Sequence, residues 1–263
     1  MTESGVKKGR VSLVGAGPGD PGLLTLRGAA CLQRAEVILI DYLANDALLA
    51  HAREEAEIIR LGRSGEGRRY SQSEIVELML DRAGRGLNVV RLKGGDPSVF
   101  GRGAEEAEEL RAAGIPYEIV PGITTAQAVA AYAEIPLTHR DEASAVALVT
   151  GREKPDREEP AIDYAALASF PGTLVLYMGV GTVAEWSGAL LAAGKAPDTP
   201  VGIVRWASRP GQETFRTTLE AVARDVHQAG LEAPAVFIIG TVVDRAPAAA
   251  WFAPADDPES EGE

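Results

Sequence analysis

Two glycine-rich stretches of this chain carry residues able to bind or react. The first, Val11-Ser-Leu-Val-Gly-Ala-Gly-Pro-Gly-Asp20, runs an apolar segment into a turn of three glycines and a proline. Such a turn lets a ligand or another backbone come close, because no side chains intervene. Asp41 follows the next apolar run, where a dinucleotide-dependent enzyme places its ribose-binding acid. The dinucleotide fingerprint needs a third glycine at G-x-G-x-x-G, however, and that position is Asp20. The second stretch, Arg91-Leu-Lys-Gly-Gly-Asp-Pro97 with Phe100-Gly-Arg-Gly103, offers Asp96 as an acceptor for ligand hydroxyls or an amine. It also sets Arg102 at a helix entrance, free to face a carboxylate in bidentate fashion. Turn and helix-cap chemistry accounts for the same residues, with Glu105 and Glu106 complementing the helix dipole.

Other reactive types are scattered. His51, His139 and His227 lack metal-ligand spacing, and the single cysteine, Cys31, lies in an apolar stretch that reads as core. No metal site is expected. Trp186, Trp206 and Trp251 are too dispersed for a base-stacking platform and read as core or interface residues.

The elements that must hold these stretches are apolar runs separated by helical patterns. Val11–Val14, Val37–Ile40, Glu57–Leu61, Val89–Leu92 and Tyr117–Val120 are mostly continuous rather than alternating, which suits strands buried on both faces of a parallel sheet. Ser71-Gln-Ser-Glu74 is a capping box before a helix closed by Gly84 and Gly86, and another helix is expected over Ala104–Ala113. A second alternation has candidate strands at Ala145–Val149, Thr173–Tyr177, Val201–Val204 and Val236–Ile239, with an exposed loop over Arg152–Pro160. The fold class is therefore α/β: two α/β domains with the active-site cleft between them. The expected division is a polar extension at 1–10, an N-terminal domain at 11–122, a C-terminal domain at 123–252 beginning with a junction helix over Thr124–Glu134, and an acidic disordered tail at 253–263.

With 263 residues, 46% of them hydrophobic, the chain can bury a full core. Its formal charge of −12 argues against generic nucleic-acid binding, so an anionic ligand would need basic islands such as Arg60, Arg63, Arg68 and Arg69. Met1–Arg10 lacks the apolar run of a secretory signal, and no segment offers about 18 uninterrupted apolar residues, so a cytoplasmic protein with no membrane partner is expected.

Read together, Gly15-Ala-Gly-Pro-Gly-Asp20, Arg91–Pro97 with Phe100–Gly103, Val120-Pro-Gly-Ile-Thr124, Ile135-Pro-Leu-Thr-His-Arg140 and Tyr177-Met-Gly179 resemble, in order and spacing, the uroporphyrinogen-III C-methyltransferases. These belong to the tetrapyrrole methylase superfamily of class III S-adenosylmethionine-dependent enzymes, and the resemblance runs from about Val11 to Phe252. It implies a homodimer that binds S-adenosyl-L-methionine and methylates two pyrrole-ring carbons of uroporphyrinogen III, giving precorrin-2 by way of precorrin-1. The family's cofactor contacts fall here on Pro18, Gly94, Gly95, Asp96, Val99, Thr124, Thr125 and Met178, with Ala207 on a looser match. Substrate-side roles fall on Arg102, Glu105 and Arg140.

The family's proton acceptor matches Asp41, but the position of its proton-donor lysine reads Arg63. An arginine stays protonated and donates poorly, so Arg63 is expected to anchor a substrate carboxylate. A porphyrinogen pyrrole attacks a sulfonium methyl through carbon, so the enzyme's main task is alignment, with a carboxylate such as Asp41 stabilising the positive charge left on the ring. The competing readings are a methylase acting later in corrin synthesis or on a protein or ribosomal RNA, a nicotinamide-dependent dehydrogenase built on the Gly15 turn and Asp41, and an inactive tetrapyrrole-binding protein. Neither the sirohaem-forming steps nor the synthase step fits in this length, so separate proteins are expected to supply them.

Overall fold

The structure is a computed structural model that describes residues 8–62, 70–153, 161–248 and 250–252. The chain forms two compact units, Met1–Thr124 and Thr125–Glu263.

The first unit alternates β1 (Arg10–Gly15), α1 (Leu26–Leu32), β2 (Val37–Ile40), β3 (Glu57–Arg60), α2 (Gln72–Gly84), β4 (Asn88–Lys93), α3 (Gly103–Ala112) and β5 (Tyr117–Val120). Every strand pairing is parallel, in the order β3-β2-β4-β1-β5. Alternate side chains go to opposite faces. Val11, Leu13, Val37, Leu39 and Val89 pack against Met79 and Ala83 of α2 and Leu110 of α3. Val14, Ile38, Ile40, Val90 and Leu92 pack against Cys31 and Leu32 of α1 and against Leu48. Both faces are covered, which is why these strands read as continuous apolar runs, and each fully buried aliphatic side chain contributes about 1.5–3 kcal/mol.

The capping box at the start of α2 is present: the Ser71 hydroxyl accepts from the Glu74 amide, and the Glu74 carboxylate accepts from the Ser71 amide. From β1 the chain crosses over β4 to reach β2, whereas from β4 it crosses over β1 to reach β5. The two crossovers leave toward opposite edges, so the carboxyl ends of β1 and β4 form the topological switch point, where open parallel sheets bind ligands.

The second unit contains α4 (Thr125–Tyr132), β6 (Val146–Thr150), α5 (Tyr164–Ala168), β7 (Thr173–Tyr177), α6 (Val183–Ala192), β8 (Pro200–Arg205), β9 (Glu213–Thr218), α7 (Val222–Gln228) and β10 (Ala235–Ile239). Its sheet, in the order β6-β7-β10-β8-β9, is mixed: β6 and β7 are parallel, while β10 runs antiparallel to both β7 and β8. One face carries Ala126 and Val129 of α4, and the other carries Trp186 and Leu190 of α6 with Val222 and Val226 of α7. Strand β9 was not expected from the sequence. Glu-Thr-Phe-Arg-Thr-Thr is polar and largely exposed, pairing only with β8 as the edge of the sheet, so it has no apolar periodicity to read. No helix among the described residues is long and apolar enough to cross a membrane.

Candidate active site

At the switch point, Gly17 and Gly95 pair antiparallel. The Gly17 amide donates to Gly95 O at 3.2 Å and the Gly95 amide to Gly17 O at 2.7 Å, while Ala16 donates to Lys93 O at 2.7 Å. A Cβ on Gly122 would stand 2.2 Å from Gly95 O, and one on Gly15 would stand 2.5 Å from Gly122 Cα. The ends of β1, β4 and β5 therefore meet backbone to backbone, at a separation only glycine permits.

That geometry disposes of a dinucleotide site in the first turn. Gly15 and Gly17 are packed against other backbone, and Asp20 caps a short 3-10 turn at Pro21–Leu23 by accepting from Gly22 N at 2.7 Å. Helix α1 starts only at Leu26, behind the Thr25 cap, so the glycines do not lead a helix N-terminus toward a pyrophosphate. Pro18 is half-buried, and the Asn45 side chain donates to Gly19 O at 2.8 Å.

The loop after β4 carries four of the expected cofactor residues. Gly94 is half-buried, with a would-be Cβ 2.8 Å from Leu43 Cβ, and the Val99 amide donates to Asp96 O at 3.3 Å. Asp96 Oδ1 accepts from Ser98 N at 2.7 Å and Oδ2 from Gly122 N at 2.9 Å. Both oxygens thus hold backbone, and only their remaining lone pairs face outward.

Asp41 follows β2, its amide donating to Leu92 O at 2.9 Å. Its Oδ1 accepts from Arg91 Nη2 at 3.0 Å, and its side chain is 30% exposed whereas that of Arg91 is 3% exposed. Arg91 Nε donates to Glu106 Oε1 at 3.3 Å, and Lys93 Nζ and Gln72 Nε2 donate to the same oxygen at 2.9 and 3.0 Å. Glu106 is fully buried, and its Oε2 has no partner among the described residues. Burial, then the neighbouring Arg91 charge, pushes the Lys93 ammonium below the usual lysine range despite Glu106. Sequence reasoning missed this cluster and assigned Glu106 to the helix dipole. The readable signal was two cations, Arg91 and Lys93, on one face of an otherwise apolar buried strand.

Arg102 is not free, as the sequence suggested. Its Nη2 lies 2.5 Å from Glu105 Oε2, and both side chains are more than half exposed. The Glu105 hydrogen bonds hold the Arg102 guanidinium above its usual range. Arg102 also caps α3 in the left-handed region, φ 59° and ψ 17°, with Phe100 at φ 53° two residues earlier. Arg60, the described member of the expected basic island, pairs with Asp46 at 2.9 Å. Arg63 lies outside the described residues, as do Arg68, Arg69 and the acidic tail.

The remaining residues fall near Thr124 and in the second unit. Thr124 and Thr125, where the units divide, are half-buried, and the next amide, Ala126 N, donates to the Tyr177 hydroxyl at 2.8 Å. Met178 follows β7 at φ 55° and is 49% exposed. Gly179 behind it is fixed by Trp186, whose indole N–H donates to Gly179 O at 3.0 Å. Arg140 is exposed at the tip of a turn closed by paired bonds of 3.0 Å between His139 and Ala143, and His139 Nδ1 accepts from Asp141 N at 3.3 Å. Ala207 is buried in the core between two left-handed residues, Trp206 and Ser208.

The tetrapyrrole (corrin/porphyrin) methylase family matches residues 10–223. The S-adenosyl-L-methionine-dependent uroporphyrinogen III methyltransferase of Methanosarcina barkeri is 46% identical over 235 residues, covering 89% of this chain and 92% of that protein. The structure of uroporphyrin-III C-methyltransferase from Thermus thermophilus complexed with S-adenyl homocysteine has a TM-score of 0.76 at 40% identity, over 90% of this chain and 100% of that one. A cobalt precorrin-4 methyltransferase structure has a TM-score of 0.78 at 32% identity, over 89% and 96% of the two chains. Extended likeness in sequence and in fold converges on one assignment: the chain belongs to the tetrapyrrole (corrin/porphyrin) methylases.

Proposed function

We propose that this chain methylates uroporphyrinogen III at two pyrrole-ring carbons, using S-adenosylmethionine and giving precorrin-2 through precorrin-1. The supporting observation is the 46% identity, over nearly the whole of both chains, to a relative named for that substrate and cofactor. Precorrin-2 would feed sirohaem or cobalamin-type synthesis.

When bound, S-adenosylmethionine supplies an electrophilic methyl group on a sulfonium. The residues proposed to hold it are Pro18, Gly94, Gly95, Asp96, Val99, Thr124, Thr125, Met178 and the backbone at Ala207. They fit such a group: Gly94 presents partly exposed main chain beside Leu43, and Met178 holds a thioether at the surface in a conformation few side chains adopt. Asp41, partly exposed and ionically held by Arg91, is suited to stabilise positive charge on a methylated pyrrole and to accept its proton. Arg102 and Arg140 are exposed cations suited to the substrate's carboxylates, with Glu105 exchanging Arg102 on binding. Arg63 would hold a further carboxylate in place of the family's lysine.

The likeness in fold to a cobalt precorrin-4 methyltransferase supports a second reading, a methylase of a later corrin intermediate. Anaerobic incubation with S-adenosylmethionine and uroporphyrinogen III, followed by mass spectrometry, separates them. Gain of two methyl groups establishes the first reading, and methylation of later intermediates alone establishes the second. The same reading takes the protein as a cytoplasmic homodimer, which light scattering at the working concentration tests for the assembly.

A further inference from the structure

We propose that Arg91 is a positioning residue for the Asp41 carboxylate, with Glu106 as the clamp that holds it; this rests on the reading of Asp41 given above. Position 91 lies between Val90 and Leu92 on β4, on the face of the sheet covered by α2 and α3, where its neighbours in the layer are Leu13, Leu39 and Val89. An apolar side chain there would fill the space without desolvating a cation. Arginine at this place gives the buried layer a rigid fork that reaches the partly exposed Asp41 from below.

All three nitrogens of that fork are engaged. Nη1 donates to Leu92 O at 3.3 Å, Nε to Glu106 Oε1 at 3.3 Å, and Nη2 to Asp41 Oδ1 at 3.0 Å. Glu106 is in turn fixed by Lys93 and Gln72 at the same oxygen, so its position does not depend on Arg91 alone. The Asp41 backbone is tied to β4 through Leu92 O, which leaves its side-chain torsions as the free variable. Arg91 removes that freedom from the buried side, where it does not obstruct what the exposed side of the carboxylate meets. A lysine at position 91 has one compact head group and cannot span both carboxylates in this way.

The test is a double-mutant cycle in steady-state kinetics, using Asp41→Asn, Arg91→Lys and the double variant in the full chain, with S-adenosylmethionine and uroporphyrinogen III. Misplaced catalytic groups cost roughly 10–100-fold in rate, and Arg91→Lys is expected to lower kcat by about that factor. KM for both substrates should stay within about twofold, because nothing that holds them has been removed. In the Asp41→Asn background the same substitution is expected to change kcat by less than about twofold, since residues acting through one another are not additive. An equal loss in both backgrounds, or a rise in KM at unchanged kcat, overturns the proposal and leaves the reading of Asp41 standing. If Asp41→Asn alone leaves kcat unchanged, that reading falls and the proposal with it. Should Arg91→Lys fail to fold, Glu106→Asp, whose shorter carboxylate loosens the clamp, is expected to give the same non-additive pattern with Asp41→Asn, and additivity there refutes it.

Discussion

Asp96 Oδ2 accepts the backbone amide of Gly122 at 2.9 Å, fastening the loop after β4 to the loop after β5 over the end of β1. The same carboxylate holds Ser98 N through its other oxygen. Its first duty is to fix the loops, and any contact with a ligand is made by a group already immobilised. Asp96→Ala frees two backbone amides from a charged acceptor and is expected to cost about 2–3 kcal/mol of stability. Urea unfolding measures this, and calorimetry with S-adenosylhomocysteine should show weaker binding even at temperatures where the variant is folded.

Glycine positions in this chain separate cleanly by what surrounds them. At Gly122 an added Cβ meets Gly95 O at 2.2 Å, which is rigid backbone, whereas at Gly188, exposed within α6, nothing lies within 4 Å. Gly122→Ala should therefore destabilise by about 3 kcal/mol or more, in the range of severe overpacking. Gly188→Ala should stabilise by about 0.5–1 kcal/mol, the ordinary gain of alanine over glycine in a helix interior. Parallel thermal melts of the two variants check both signs.

Arg102 and Met178 share a left-handed backbone, at φ 59° and φ 55°. A non-glycine residue there carries strain on the order of 1 kcal/mol, retained where the side chain is needed. Arg102→Gly and Met178→Gly are expected to raise stability by up to about that amount while lowering kcat/KM at least about tenfold. A stability gain without a loss of activity would show that neither side chain serves the reaction.

Glu118 on β5 governs part of the acid sensitivity. Burial alone would raise its carboxyl, but hydrogen bonds from Arg27 and Ser12, helped by the charges of Arg27 and Arg10, hold it below the usual glutamate range. A carboxyl depressed in the folded state contributes stability above its unfolded value and loses it as pH falls through the folded one. Wild type should exceed Glu118→Gln in stability at neutral pH, and the gap should close as pH drops through the usual glutamate range to the lowered value. Denaturant titrations of both proteins at stepped pH give the comparison, and a gap that widens toward acid contradicts it.

Much of the fold was legible because it follows from burial. The inner strands of the first sheet, β1, β2 and β4, are covered on both faces, and that leaves uninterrupted apolar runs such as Val37–Ile40. Strand β9 was invisible for the converse reason, having an edge position and no buried face of its own. At the candidate site, the apolar runs placed Asp41 after one strand and Gly95 and Asp96 after another; that these two strands are parallel neighbours came from the structure. What could not be read was how charges pair. Glu105 and Glu106 are adjacent and chemically alike, yet one is exposed beside Arg102 and the other is sealed against Arg91 and Lys93. A rotation of about 100° about the helix axis, one residue's step, decides between them, and only packing sets that rotation.

The place of β1 between β4 and β5 bears on how the protein is made. Val11–Val14 find their hydrogen-bonding partners at Val89–Leu92 and Tyr117–Val120. Of the five strands in the first unit β1 leaves the ribosome earliest, and it cannot be enclosed until the last has emerged. At elongation rates of about 5–20 residues per second, that is a wait on the order of 5–20 s with an apolar, unpaired strand in solution. Nascent chains of this protein halted before Val120 should accordingly be held by chaperones and cut readily by proteases, and those carrying the complete first unit should resist.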